Sequence, residues 1–118
     1  MSFIRSETVT AVTDAGGNST AFSANVNGKI HAIEYVWTNY STAAALVVKG
    51  ENSSRPILTA NLTSTTMATW YPRSVTHNVL SGSTFGGEAS VPIAGERVRF
   101  VVSGGGATAT GTFRMLVD

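Results

Sequence analysis

Two histidines, one early aspartate and many serines are the residues of this chain that could do acid–base or nucleophilic chemistry. His31, His77 and Asp14 could supply the base and the acid of a Ser/His/Asp triad, which works only when its three side chains are held in contact. No serine lies in the glycine-flanked pattern of a nucleophile elbow. His31 falls inside a predicted strand and His77 follows a Trp-Tyr-Pro-Arg run, so both are interpreted as structural. The sequence therefore predicts a protein that is not an enzyme.

The same residues could instead be metal ligands. His31 and His77 are separated by several predicted strands and have no third ligand in register, which argues against zinc. Asp14 and Asn18 flank a pair of glycines and could offer oxygen ligands to calcium, but the acidic density of a calcium loop is missing. An ordinary turn is the preferred interpretation there. The chain contains no cysteine, so the sequence predicts no thiolate site, no disulfide, no metal and no cofactor.

Aromatic residues could instead form a stacking platform for sugar rings, because aromatics give contact area at low entropic cost. The candidates are Tyr35, Trp37, Tyr40, Trp70 and Tyr71. Tyr35 and Trp37 are also candidates for the core. Trp70 and Tyr71 are adjacent on a predicted strand, so they point to opposite faces and at least one should be buried. A carbohydrate-binding β-sandwich module stays open as an alternative function.

Composition favours a small domain that is covered by partners. The 118 residues predict one domain, residues 1–118, and only 13% of them are charged, about half the usual share. A formal net charge of +1 predicts no nucleic-acid partner. The start lacks the pattern of a signal peptide, and the apolar runs are too short to cross a bilayer, so no membrane partner is expected. So few charges favour a surface that packs against other subunits.

Runs in which apolar and polar residues alternate, separated by turns that contain Gly, Asn or Pro, predict an all-β fold. The predicted strands are residues 7–13, 20–26, 29–37, 43–49, 56–62, 67–71, 96–102 and 110–117. The first two are expected to form a hairpin, Asn27-Gly28 is expected to be a turn, and the last strand is expected to close a terminal hairpin. Both faces of residues 29–37 are largely apolar, which predicts a central strand covered on both sides. The predicted fold is an antiparallel β-sandwich, jelly-roll-like or Ig-like.

The segment at residues 67–77 holds an unusual combination of Trp, Tyr, Pro, Arg and His. Pro72 is expected to end the strand that contains Trp70 and Tyr71, and Trp70 is expected to be buried. Arg73 and His77 are expected to bind the following part of the chain to the body of the domain through hydrogen bonds. Residues 74–95 show no sustained period and predict a long loop, which in a compact domain is usually functional. Its apolar side chains, with two arginines as secondary contacts, predict a protein interface: Val75, Val79, Leu80, Phe85, Val91, Ile93, Arg97 and Arg99.

Residues 68–77, Ala-Thr-Trp-Tyr-Pro-Arg-Ser-Val-Thr-His, resemble a Trp-Tyr-Pro-Arg-x-x-Thr-His segment in small virion proteins of tailed bacteriophages. Residues 10–18, 28–36 and 96–113 are similar to other parts of the same family. The resemblance implies a β-rich capsid decoration or cement protein, often trimeric, made in the host cytoplasm and bound to the major capsid protein on the capsid surface. A head–tail or tail accessory role is the alternative that it leaves open. It implies no functional residues.

Overall fold

The structure is a computed structural model that describes residues 4–77, 80 and 84–118, and within them the side chains of all but residues 74–77 and 84–88. These residues form strands and no helix, so none of their segments is a helix that could span a membrane. The all-β class is confirmed. The strands are β1 Arg5–Val12, β2 Ser19–Phe22, β3 Val26–Trp37, β4 Ala45–Gly50, β5 Pro56–Asn61, β6 Met67–Trp70, β7 Arg73–His77, β8 Thr84–Glu96, β9 Val98–Ser103 and β10 Thr110–Val117.

Two antiparallel sheets pack face to face, as the sequence predicted for a β-sandwich. One sheet has the order β1-β10-β3-β8-β7, with β6 also paired to β3, and the other has the order β2-β9-β4-β5. The order β1-β10-β3-β8 over β2-β9-β4-β5 is that of a jelly roll, in which two Greek keys fold over each other. Of the two topologies that the sequence left open, the strand order is therefore that of the jelly roll.

Several local pairings expected from the sequence are wrong, because this jelly roll places β1 and β2, and likewise β9 and β10, in opposite sheets. β1 pairs with β10 and β2 with β9, so neither the first nor the last predicted hairpin forms. Asn27 and Gly28 are not a turn: they lie inside β3 and pair with Ala94 and Ile93 of β8. Gly28 has a φ of 128°, a backbone conformation that suits glycine. Its turn-like sequence therefore reflects a local backbone need within a strand.

A bulge at His31 explains why both faces of β3 look apolar. Ala32 pairs with Leu116 and Ile30 with Val117, so His31 is the extra residue on this strand. The bulge changes which alternate residues point inward: Ile30 is buried before it, and Ile33 and Tyr35 are buried after it. The inward-facing positions are therefore even-numbered before the bulge and odd-numbered after it. For that reason the expectation of a strand covered on both faces is wrong.

Stacked aromatic rings join the two sheets in the middle of the core. Phe113 of β10 lies 5.3 Å from Tyr35 and 5.4 Å from Phe100 of the opposite sheet, measured between ring centroids. Tyr40 stacks on Tyr35 at 6.1 Å and donates its hydroxyl to the carbonyl oxygen of Ala11 at 2.5 Å. Burial raises the pKa of Tyr35 and of Tyr40 to about 12, so both rings stay neutral at any physiological pH.

Residues 74–95, expected to be a loop, contain strands β7 and β8. The second half of β8 pairs with β3 from Val91↔Ile30 to Glu96↔Val26. From Ile33 onward, that edge of β3 is occupied by β6, and residues 84–90 of β8 pair with β7 instead. Gly86, Gly87, Gly95 and Pro92 lie within β8, and Pro92 lies beyond the part of β8 that pairs with β7. The body measures 49 × 29 × 26 Å.

Candidate functional site

The Trp-Tyr-Pro-Arg segment lies where the edge of β3 passes from β8 to β6. β6 ends at Trp70, and the buried Pro72 turns the chain away toward β7. Trp70 is half-buried, not fully buried as expected, and its ring stacks on Tyr35 of the core at 6.4 Å. Tyr71 points the other way and is 61% exposed. The expectation that the two adjacent aromatics would take opposite sides is confirmed.

Arg73 links the segment to β3 at the point where its edge partner changes from β8 to β6. Its Nη1 donates to the carbonyl oxygen of His31 at 3.2 Å, at the bulge, and to that of Pro72 at 2.7 Å. The guanidinium carbon lies 5.9 Å from the centre of the Tyr71 ring, and His31 meets the same ring edge-on at 6.4 Å. We call His31, Tyr71 and Arg73 the Tyr71 cluster. Arg73 thus ties the segment to the body through hydrogen bonds, whereas the side chain of His77 lies outside the described residues.

The described residues bring together no catalytic constellation. The Asp14 carboxylate accepts hydrogen bonds from the backbone N–H groups of Gly16 (2.9 Å) and Asn18 (3.1 Å), so it closes its own turn. Among the described hydrogen bonds, none joins the His31 ring to a carboxylate. Within residues 4–77, 80 and 84–118, no group of three His, Asp or Glu side chains could hold a metal ion.

The aromatic platform proposed for sugars is mostly internal. Tyr35 and Tyr40 are buried in the core. Trp37 is half-buried and donates its Nε1–H to the carbonyl oxygen of Tyr40 at 2.8 Å. With Trp70 packed on Tyr35, Tyr71 is the exposed ring of the set. Any sugar contact would therefore involve one ring and its neighbours His31 and Arg73 rather than a row of rings.

The predicted apolar interface is partly wrong. Val91 and Ile93 are core residues with 4% and 3% of their surface exposed, because β8 pairs with β3 at these positions. Leu80 is 94% exposed. Val79 lies outside the described residues, as do the side chains of Val75 and Phe85, so for these three the interface stays a prediction.

Arg97 and Arg99, the predicted secondary contacts, flank the inward-facing Val98 and point to the outer side of β9, as expected. Arg97 forms an ion pair with Glu51 and lies over the ring of Phe22, with 4.2 Å between the guanidinium carbon and the ring centre. Arg99 is half-buried and has no carboxylate partner among the described residues.

Sequence reasoning missed two polar residues near this face. Lys49 lies directly opposite Arg99, a placement that depends on the pairing of β4 with β9 and has no local signal. Glu96 is buried, and its Oε1 accepts hydrogen bonds from the backbone N–H groups of Asn52 (2.9 Å) and Ser53 (3.0 Å). The hydrogen bonds from these N–H groups, of which that from Ser53 has the largest effect, hold the pKa of Glu96 below its usual value. Glu96 thus fixes the turn between β4 and β5 and is not a free acid.

Trp70→Ala is expected to lower the free energy of unfolding by about 1–3 kcal/mol, less than the loss of a fully buried ring, because one side of the indole is solvated. Tyr71→Ala, the neighbouring aromatic truncation on the opposite side, is the matched control and is expected to change it by less than about 0.5 kcal/mol. Urea denaturation of the two variants measures both values. Equal losses would contradict this assignment of the two rings.

Comparisons of the chain with models of protein families, with curated proteins and with solved structures give no match.

Proposed function

We propose that this chain is a structural protein of a bacteriophage virion, a capsid decoration or cement protein that binds the major capsid protein lattice from the capsid surface. The observation that carries the proposal is the role of the segment that resembles the virion family. Trp70 packs on the core, Pro72 is buried, and Arg73 bonds the chain to the bulge of β3. The distinctive residues of that segment therefore build the base of the β7–β8 hairpin, and a structural function requires no further chemistry from them.

The hairpin gives the chain a means of reaching a neighbouring subunit. β7 is the last strand of its sheet, next to β8. Residues 84–90 of β8, about 23 Å of extended chain, pair with β7 and not with β3. A strand at the end of a sheet presents N–H and C=O groups that another chain can pair with. An elongated body with an available edge strand, β7, suits a protein that joins subunits of a shell.

A homo-oligomer is consistent with the size of the domain, and the trimer expected as its form is what the resemblance implies. A standard interface buries about 800 Å² per partner, and a domain of this size offers only a few such areas. Repetition of modest contacts around a symmetric particle strengthens binding without any single large contact. The low charge of the chain, 13% of residues, is consistent with a surface that is largely covered in the assembly.

The test uses virions from the genome that encodes the chain. Mass spectrometry of purified particles is expected to find the chain in many copies, and particles from a gene deletion are expected to bind purified chain and co-sediment with it. Sedimentation velocity at tens of micromolar is expected to give an oligomer. A strict monomer that is absent from purified particles and does not co-sediment with the deleted ones would overturn the proposal.

The Tyr71 cluster favours a second candidate, a carbohydrate-binding module. An exposed tyrosine with an arginine against its ring is suited to a sugar that carries a carboxylate, since the ring stacks on the sugar and the guanidinium binds the acid. Binding to a panel of acidic polysaccharides that is lost in Tyr71→Ala, from a chain absent from particles, would favour this function instead.

A further inference from the structure

Half of the basic residues of the chain lie near one end of the four-stranded sheet. Four of the eight Lys and Arg side chains belong to β4, to the connection between β4 and β5, to the residue before β9 and to β9 itself: Lys49, Arg55, Arg97 and Arg99. Two acids accompany them. Glu51 is paired with Arg97, and Glu96 attracts Arg55 while binding backbone N–H groups. Lys49 and Arg99 are left with no carboxylate among the described residues.

These two cations face each other directly. Lys49 pairs with Arg99 across β4 and β9, and Arg99 pairs on its other side with Phe22 of β2. Both belong to the outer set of alternate residues, since Val48 and Phe100 next to them are buried in the core. Like charges at directly opposite positions of an antiparallel pair destabilise a sheet. In a chain with so few charges, this placement opposes folding and calls for a compensating role.

Arg99 also lacks an acceptor within its own chain. Its Nε is buried and has no hydrogen-bond partner among the described residues. An arginine normally presents Nε and a terminal nitrogen as a fork that matches the two oxygens of a carboxylate. Arg97, two residues earlier, satisfies its own fork in this way with Glu51, through Nε at 3.1 Å and through Nη2. Arg99 lies on the same strand face as Arg97 but has no carboxylate to bind among the described residues.

The neighbouring row of the same face is apolar at its centre. Val101 lies opposite Val47, with Thr20 and Thr59 at the two ends of the row. Both valines are half-buried and belong to the outer set. A protein interface typically has an apolar centre bordered by a few charges, and this face has that composition. Nucleic acid fits less well, because affinity for phosphates comes from many cations and this end of the sheet has four, of which Arg97 is already paired with Glu51.

We propose that the outer face of β2-β9-β4-β5 docks on a protein surface that presents carboxylates, and that Lys49 and Arg99 bind one of them together. This inference rests on the proposed function, in which the partner is the shell protein. The partner's carboxylate supplies the missing counter-charge and an acceptor for the Arg99 guanidinium. The like-charged pair is thereby stabilised in the complex and unfavourable in the free chain.

The first experiment needs no particle. Addition of a short aspartate oligomer to the full chain is expected to shift the Arg99 Nε–Hε signal in ¹⁵N-edited NMR spectra in a saturable way. Lys49→Gln is expected to weaken this binding about five- to tenfold, the loss of one charge-assisted contact. Lys29→Gln removes the same charge from β3 of the other sheet and is expected to leave binding within about twofold. An oligothymidylate of equal charge is expected to bind more weakly.

Stability separates a binding role from a structural one. Because Lys49 and Arg99 repel each other in the free chain, Lys49→Gln is expected to melt at the wild-type temperature or above it. A lower melting temperature would make the pair structural and overturn the proposal. It would also be overturned by tighter binding of the oligothymidylate, by an equal effect of Lys29→Gln, or by no shift of the Arg99 signal.

The second experiment uses the deletion particles and separates this inference from the proposed function. Lys49→Gln is expected to leave the particles at a lower salt concentration than wild type, and Lys29→Gln at the wild-type concentration. If wild type binds particles and Lys49→Gln binds equally well, this docking face is wrong while the proposed function stands. If the aspartate oligomer binds as expected but the chain is absent from virions, the carboxylate site stands and its assignment to a shell protein falls.

Discussion

Phe113→Ala is expected to lower the free energy of unfolding by about 3–5 kcal/mol, the range for removing a fully buried phenylalanine. The Phe113 ring lies between the sheets, close to Tyr35 and Tyr40 on one side and to Phe100 on the other. Truncation leaves a cavity next to these three rings. Since domains of this size are stable by only about 5–15 kcal/mol, the loss is a large fraction of the total.

Phe22→Ala is the matched control, because it makes the same truncation at an exposed ring on the outer face of the other sheet. It is expected to cost less than about 1 kcal/mol, mainly through the contact of Arg97 with the ring. Urea denaturation monitored by tryptophan fluorescence compares the two. If Phe113→Ala does not fold, Phe113→Leu, expected to cost about 1–1.5 kcal/mol, gives the same comparison. Equal costs at positions 113 and 22 would contradict the central place of Phe113 in the core.

The period of a strand is a local property, and it was predictable for most of this chain. Residues 110–117 and 67–71 were predicted almost to the residue. Each of these strands shows regular alternation in its own sequence. The all-β class and the sandwich followed from such runs, because alternating strands must bury one face against another layer.

Strand partners are not a local property, and there the sequence misled. Neighbouring strands such as β1 and β2 are joined by a glycine turn that suits a hairpin, yet β1 pairs with residues 98–112 positions further along the chain and β2 with residues 77–83 positions further along. The glycines serve the crossing between sheets instead: Gly105 donates its N–H to the carbonyl oxygen of Gly17 at 3.0 Å, which joins the two crossings. The same turn chemistry supports both arrangements, so composition cannot distinguish them.

The candidate sites depend on these long-range pairings and were only partly predictable. Arg97 and Arg99 were expected on the outer side of their strand, but the position of Lys49 opposite Arg99 requires the register of β4 against β9. Val91 and Ile93 were assigned to an interface because the glycines and proline around them resemble a loop. Their burial follows from the pairing of β8 with β3, and the local sequence of β8 does not indicate that pairing.

Gly111→Ala is expected to lower the free energy of unfolding by about 1–3 kcal/mol, the cost of inserting a methyl group into a packed core. Gly111 is buried on β10 between Ala11 and Trp37, and a Cβ atom there would overlap the ring of Tyr40. That ring cannot move aside easily, because its hydroxyl is bonded to Ala11 and its face stacks on Tyr35. The strand needs glycine at this position for space and not for an unusual backbone angle.

A double-mutant cycle with Tyr40 tests that cause. In a Tyr40→Ala background the ring is gone, so the added methyl group enters the vacated space and Gly111→Ala is expected to become neutral or stabilising. In a Tyr40→Phe background the ring remains and only the hydroxyl bond to Ala11 is lost, so the cost of Gly111→Ala is expected to persist or to shrink slightly as the ring gains freedom. A coupling energy of about 1–3 kcal/mol with alanine at position 40, and a much smaller one with phenylalanine, is the expected pattern. If Gly111→Ala costs the same in all three backgrounds, strain in β10 itself is the cause, and the Tyr40 ring does not determine the requirement for glycine.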